Sequence, residues 1–168
     1  MSPHDAFEYV RDRWEAFLDA YPEILEMQHH AAEVAYAAKE AGDTETYEAA
    51  RELIQELGDL AQRHNWAVLR YDQLTEFVPG LGSYGLGQVP AAYAAAIVAL
   101  AAVMVYVLAQ MDAARRVLSL LDEGKVSPDE ARALLNKSPL GDLGQLVKWG
   151  SLAFLAWAGV KAIQEFRA

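Results

Sequence analysis

Glu26 and His29 stand three residues apart, the Glu-x-x-His spacing with which helical bundles present a carboxylate and an imidazole to a metal. Carboxylate-bridged di-metal centres need a second such pair on another helix. The other histidines are His4, His30 and His64, and Ala61 occupies the position three before His64, so the second pair is missing. Glu26, His30 and Glu33 share the polar side of one helix and could hold a divalent ion weakly, but a solvated charged face accounts for them better. His64 lies among apolar residues, between Leu60 and Val68, where it reads as a core histidine satisfied by one hydrogen bond; beside a carboxylate it would sense pH. Gly80-Leu81-Gly82-Ser83-Tyr84-Gly85 matches the dinucleotide fingerprint letter for letter. That motif works only between a parallel strand and a helix, with an acid about 20 positions on for the ribose. Here a helix precedes it, an apolar run follows it, and residues 98–108 contain no acid, so the glycines read as a connector. The serines sit mostly at helix caps or in the glycine segment, and the one with a histidine near it in sequence, Ser2 beside His4, is a helix cap. The expectation is a non-enzymatic chain with no cofactor and no metal.

The elements that carry these residues are helical. The chain has 168 residues, no cysteine, 14 basic against 24 acidic side chains and a net charge of −10, with 54% apolar residues. The apolar content excludes disorder, the acid excess excludes a general nucleic-acid surface, and the lack of cysteine excludes thiol catalysis and disulfides. Residues 1–88 hold 17 acids and 6 bases, whereas residues 89–168 hold 7 acids and 8 bases. The two halves therefore face different surroundings.

Ser2-Pro3-His4-Asp5 is a helix start, and Phe7, Val10, Trp14, Phe17 and Tyr21 follow as one seam. Pro22 is expected to end or sharply bend that helix and begin a second, whose thinner seam is Ile24, Met27, Ala31, Val34 and Ala38. Gly42 is a C-cap, and a third helix runs from Thr44 into the low seventies with Leu53, Leu57, Leu60 and Val68 on its apolar face. Residues 1–76 thus read as an acidic three-helix domain and residues 77–89 as a glycine-rich connector.

From Phe77 to Met111 there is no charged residue. At about 1.5 Å per residue, residues 90–111 reach about 33 Å, matching a hydrocarbon core of about 30 Å. This is the strongest signal in the chain and predicts a transmembrane helix. Ala91, Ala95 and Ala99, with Ala92 and Ala96, place small residues four apart, a spacing that lets a partner helix approach closely. The alternative is a central helix buried in a soluble bundle.

Asp112, Arg115 and Arg116 mark the return to water, and residues 112–140 form a short helical loop region. Ser127-Pro128-Asp129-Glu130 repeats the capping logic of the N-terminus. Residues 117–136, with Leu120-Leu121-Asp122-Glu123-Gly124-Lys125-Val126-Ser127-Pro128-Asp129-Glu130 at their centre, resemble the short bacterial helical-hairpin module called SHOCT-like. The aromatic that family favours after its acidic pair is replaced by Ala131. The resemblance implies a helical hairpin beside a membrane segment and, at most, self-association.

Residues 143–166 form a second apolar helix. Lys148 and Lys161 can extend its span by lifting their ammonium groups to the headgroups, with Trp149 in the interfacial belt, so it reads as a second membrane segment. Arg115, Arg116 and Lys125 outnumber Arg70 near the first span, which places residues 112–140 on the cytoplasmic side. The charged N-terminus has no signal-peptide core. The sequence reading is therefore an all-α protein: an acidic helical domain plus a C-terminal transmembrane helix or hairpin. Its expected role is a membrane-anchored structural or assembly subunit, in a virion or cell-envelope complex, with the lipid bilayer and other protein subunits as partners and no nucleic acid. A pore-forming or holin-like protein and a soluble bundle are the rivals.

Overall fold

The computed structural model describes residues 2–77 and 91–136, and among them the protein is all-helical. Helix α1 is Pro3–Ala41, α2 is Thr44–Phe77, α3 is Ala91–Asp122 and α4 is Pro128–Leu135. Of the expected connector 77–89, all but Phe77 lies outside the described residues, and so does the segment 143–166 expected to form a second apolar helix, with Lys148, Trp149 and Lys161.

Helix α1 starts where a capping box allows it to. The Ser2 hydroxyl accepts from the Asp5 amide while the Asp5 carboxylate accepts from the Ser2 amide, satisfying donors that the first turn leaves open. It then continues through Pro22 to Ala41, which corrects the expectation of a break there and makes two helices of the predicted three-helix unit. The physical reason is placement. Pro22 and Leu18, whose carbonyl loses its amide partner, both lie on the exposed side, where water can take that partner's place. Phe17 and Ile24, which flank Pro22, are fully buried and hold the helix against its neighbours on either side of the defect. Gly42 ends α1 in the left-handed conformation at φ 72°, and Asp43 accepts from the Thr46 amide to start α2.

Helices α1 and α2 form an antiparallel hairpin, and α3 lies along it parallel to α1. The direction follows from its contacts: Ile97 and Leu100 meet Phe7, Val10 and Leu74, whereas Arg115 reaches Glu23 and Asp122 reaches His30. One continuous core joins the helices. It contains Phe17 and Ile24 of α1, Leu53, Leu57 and Leu60 of α2, and Leu100, Met104, Val107 and Val117 of α3, all fully buried. Burial of each such side chain stabilises the fold by about 1.5–3 kcal/mol before entropy is counted. Helix α4, with its own Ser127–Glu130 capping box, returns against α2 through Ala131 and Leu135.

This arrangement corrects the expected separation of an acidic domain from the apolar helix. Among the described residues α1 and α2 pack directly on α3. The continuation of α3 past Met111 to Asp122 is, by contrast, as expected from the sequence, which carries the helix through Leu120.

Candidate membrane-facing helix

Helix α3 is the one described helix long and apolar enough to cross a membrane. Its segment Tyr93–Asp122 supplies the apolar window, of which 56% is buried against the rest of the chain. No residue from Tyr93 to Met111 is fully exposed. The half-buried positions Val98, Ala102, Val105 and Ala109 follow one another at helical spacing and form an apolar outer stripe. Opposite them, Ile97, Leu100, Met104, Val107 and Met111 face the core.

The alanines expected to receive a partner helix divide between these surroundings. Ala96 and Ala99 are 8% and 4% exposed, so they are buried within the chain's own bundle, while Ala95 is half-buried. Ala91 and Ala92 open the helix. Of the residues expected at the membrane interface, Arg115 and Arg116 are exposed on the charged end of α3. Arg115 donates to Glu23 at 2.5 Å and also to Asp112 one turn away, and the guanidinium holds the Glu23 carboxyl below its ordinary pKa. Beyond it, His30 Nε2 and the Asp122 carboxylate are 2.8 Å apart. These pairs fix the register of α3 against α1, although exposed pairs contribute only about 0–1 kcal/mol each.

Closer to the apolar end lies a polar network. The Tyr106 hydroxyl donates to Glu56 at 3.4 Å, the Arg63 guanidinium sits 4.6 Å from the centre of the Tyr106 ring, and Gln110 Nε2 donates to Tyr106 Oη and to the Leu135 carbonyl at 2.9 Å. Gln110 is 2% exposed, and its Oε1 is buried with no hydrogen-bond partner among the described residues. Glu56 has its pKa raised, first by burial and then by the neighbouring Asp59 charge, against the opposing pull of Arg63 and Tyr106. Tyr106 and Gln110 share a helix face at i and i+4, so half of this network is visible in the sequence; Glu56, fifty residues earlier, carries no such signal.

Glu26 and His29 are exposed, His29 lies 3.5 Å from Glu33, and no group of three or more His, Asp or Glu among the described residues is placed to hold a metal. His64 is 3% exposed and donates from Nε2 to the Phe17 carbonyl at 2.7 Å, the core placement its sequence position implies. The glycine motif at residues 80–85 lies outside the described residues.

Comparison with known proteins adds no relative: no family model matches the chain, and neither a curated protein nor a solved structure matches it.

Proposed function

We propose that the protein is a non-enzymatic, membrane-associated subunit of a larger assembly, with α3 as its lipid-binding element. The observation that carries this reading is the length and composition of α3: no charge between Ala91 and Met111, then Asp112, Arg115 and Arg116 in quick succession. The helical turn into α4, with its SHOCT-like sequence, belongs on the watery side of that boundary.

The packed bundle cannot enter lipid as it stands. Glu8, Arg11, Asp12, Arg13, Glu15 and Asp19 are exposed on the part of α1 that lies beside the apolar half of α3. Each charge at the centre of a bilayer costs about 2.5–3.5 kcal/mol on the insertion scale. Spanning therefore requires the apolar half of α3 to leave the α1–α2 cradle, with the ion-paired end of the bundle staying in water. Fractionation of expressing cells with a carbonate wash tests this. Retention in the washed membrane supports it, and release into the wash refutes it.

The burial of Leu100, Met104 and Val107 favours a second reading, a water-soluble bundle organised around α3. A monodisperse monomer from detergent-free expression, absent from membranes, would select that reading.

A further inference from the structure

Helix α1 carries a second face that the described chain leaves uncovered. Leu18, Pro22, Leu25, His29, Ala32 and Tyr36 follow one another at alternating spacings of four and three, and every one of them is exposed. This is the a/d pattern of a coiled coil, here on the side of α1 opposite Phe17, Ile24 and Ala31. The four large apolar side chains exposed among the described residues are Leu18 (40%), Leu25 (43%), Tyr36 (69%) and Leu69 (63%), so three of them fall on this line.

Charge gives the stripe a polarity. Asp5, Asp12, Asp19, Glu26, Glu33 and Glu40 recur at every seventh position, and all are exposed. They form a ridge beside the apolar line, drifting by about 20° per heptad as a straight helix must. Some have local work: Asp5 caps the helix, Arg11 lies 2.9 Å from Asp12, and His29 lies 3.5 Å from Glu33. Asp19, Glu26 and Glu33 flank the apolar stretch itself. The opposite flank, Tyr21, Gln28 and Ala35, carries no charge and turns toward the core.

We propose that this face of α1 docks an amphipathic helix of another protein, with apolar a and d residues and a basic flank. The assignment rests on the assembly half of the function proposed above and not on its membrane half. Charge argues against two other occupants, a second copy of this chain and a lipid surface. In a parallel pair of α1 helices the acid ridge would meet Tyr21, Gln28 and Ala35, and in an antiparallel pair it would meet a second acid ridge, so a second copy offers no base. An anionic lipid surface would repel the ridge for the same reason.

The test titrates the full chain with two labelled synthetic helices of about three heptads, leucine at a and d, with lysine at both flanks in one and glutamate in the other. The lysine helix is expected to bind at least about tenfold more tightly, a difference of about 1.4 kcal/mol, and to weaken as salt rises from about 0.05 M to about 0.5 M. Leu18→Ser with Leu25→Ser should abolish binding while helicity by circular dichroism is unchanged, because both side chains already face water. Asp19→Lys with Glu26→Lys and Glu33→Lys should reverse the preference between the two helices. Equal or absent binding, or binding indifferent to the leucine changes, overturns the proposal. So does self-association of the chain alone that the leucine changes abolish. Membrane retention of the same variants is read separately, so loss of the lipid-binding reading leaves this result standing.

Discussion

The Nε2 of His64 on α2 lies 2.7 Å from the Phe17 carbonyl oxygen on α1, and the Phe17 ring stacks on the imidazole at 4.4 Å between centres. Tyr21 closes the other side at 5.2 Å, while Nδ1 is buried with no hydrogen-bond partner among the described residues. One buried contact thus joins the two helices that cradle α3, and it holds the neutral ring with its proton on Nε2. Around it, Arg13, Glu15 and Asp19 of α1 are exposed, Glu23 is engaged by Arg115, Arg63 of α2 reaches Tyr106, and α3 offers no charged side chain from Ala91 to Met111.

Burial lowers the His64 pKa, with the Phe17 carbonyl and Asn65 acting weakly in the other direction. A native state that refuses a proton which the unfolded chain accepts loses stability as pH falls below the unfolded value of about 6.5. Urea unfolding at pH 7.5 and 5.5 is therefore expected to show a weaker fold at the lower pH. His64→Phe keeps the ring stack and cannot titrate, so its loss between the two values should be smaller. Carboxylates and the exposed histidines are common to both proteins and cancel in the comparison. Equal losses would remove His64 from the account.

Two glycines should respond in opposite directions to the same change. Gly42 has φ 72°, so Gly42→Ala forces a left-handed alanine and costs about 1–2 kcal/mol. Gly58 is inside α2, and among the described residues a methyl there would meet Gln28 Nε2 at 3.6 Å, an ordinary contact. Gly58→Ala should raise stability by about 0.5–1 kcal/mol. Urea midpoints of the two variants against the parent check both signs.

Much of the fold was legible because its signals are local. Ser2 and Ser127 with their acids three residues on fix two helix starts, and Gly42 fixes a helix end, from nearest neighbours alone. The apolar run after Val89 likewise announces a long helix. What surrounds that run was not legible, because its periodicity is nearly uniform: alanines and valines suit lipid and a close-packed bundle equally well. The continuity of α1 through Pro22 escaped for a related reason, since the exposed side that tolerates the missing hydrogen bond is known only once the core side is known. Of the candidate site, Tyr106 and Gln110 stand out in an apolar sequence, whereas their partners Glu56 and Leu135 are set by tertiary packing.

Leu100 is 1% exposed at the centre of the cradle. Leu100→Ala should lower the stability of the bundle by about 2–5 kcal/mol in urea unfolding, through lost burial and the cavity left behind. If release from the cradle precedes lipid binding, the same variant should remain in carbonate-washed membranes at least as fully as the parent. Loss from the membrane together with loss of stability would tie lipid binding to the intact bundle instead.

Membrane association through α3 requires lipid, not water or protein, around the apolar half of that helix. The chain has no cysteine, so Val105→Cys and Ala16→Cys each give one labelling site, the first on the outer stripe of α3 and the second on the exposed face of α1. In reconstituted vesicles a fluorophore at Val105→Cys is predicted to be quenched by quenchers attached along the lipid acyl chains and shielded from an aqueous quencher, with the reverse at Ala16→Cys. Aqueous quenching at both positions, without quenching from the acyl chains, would contradict it.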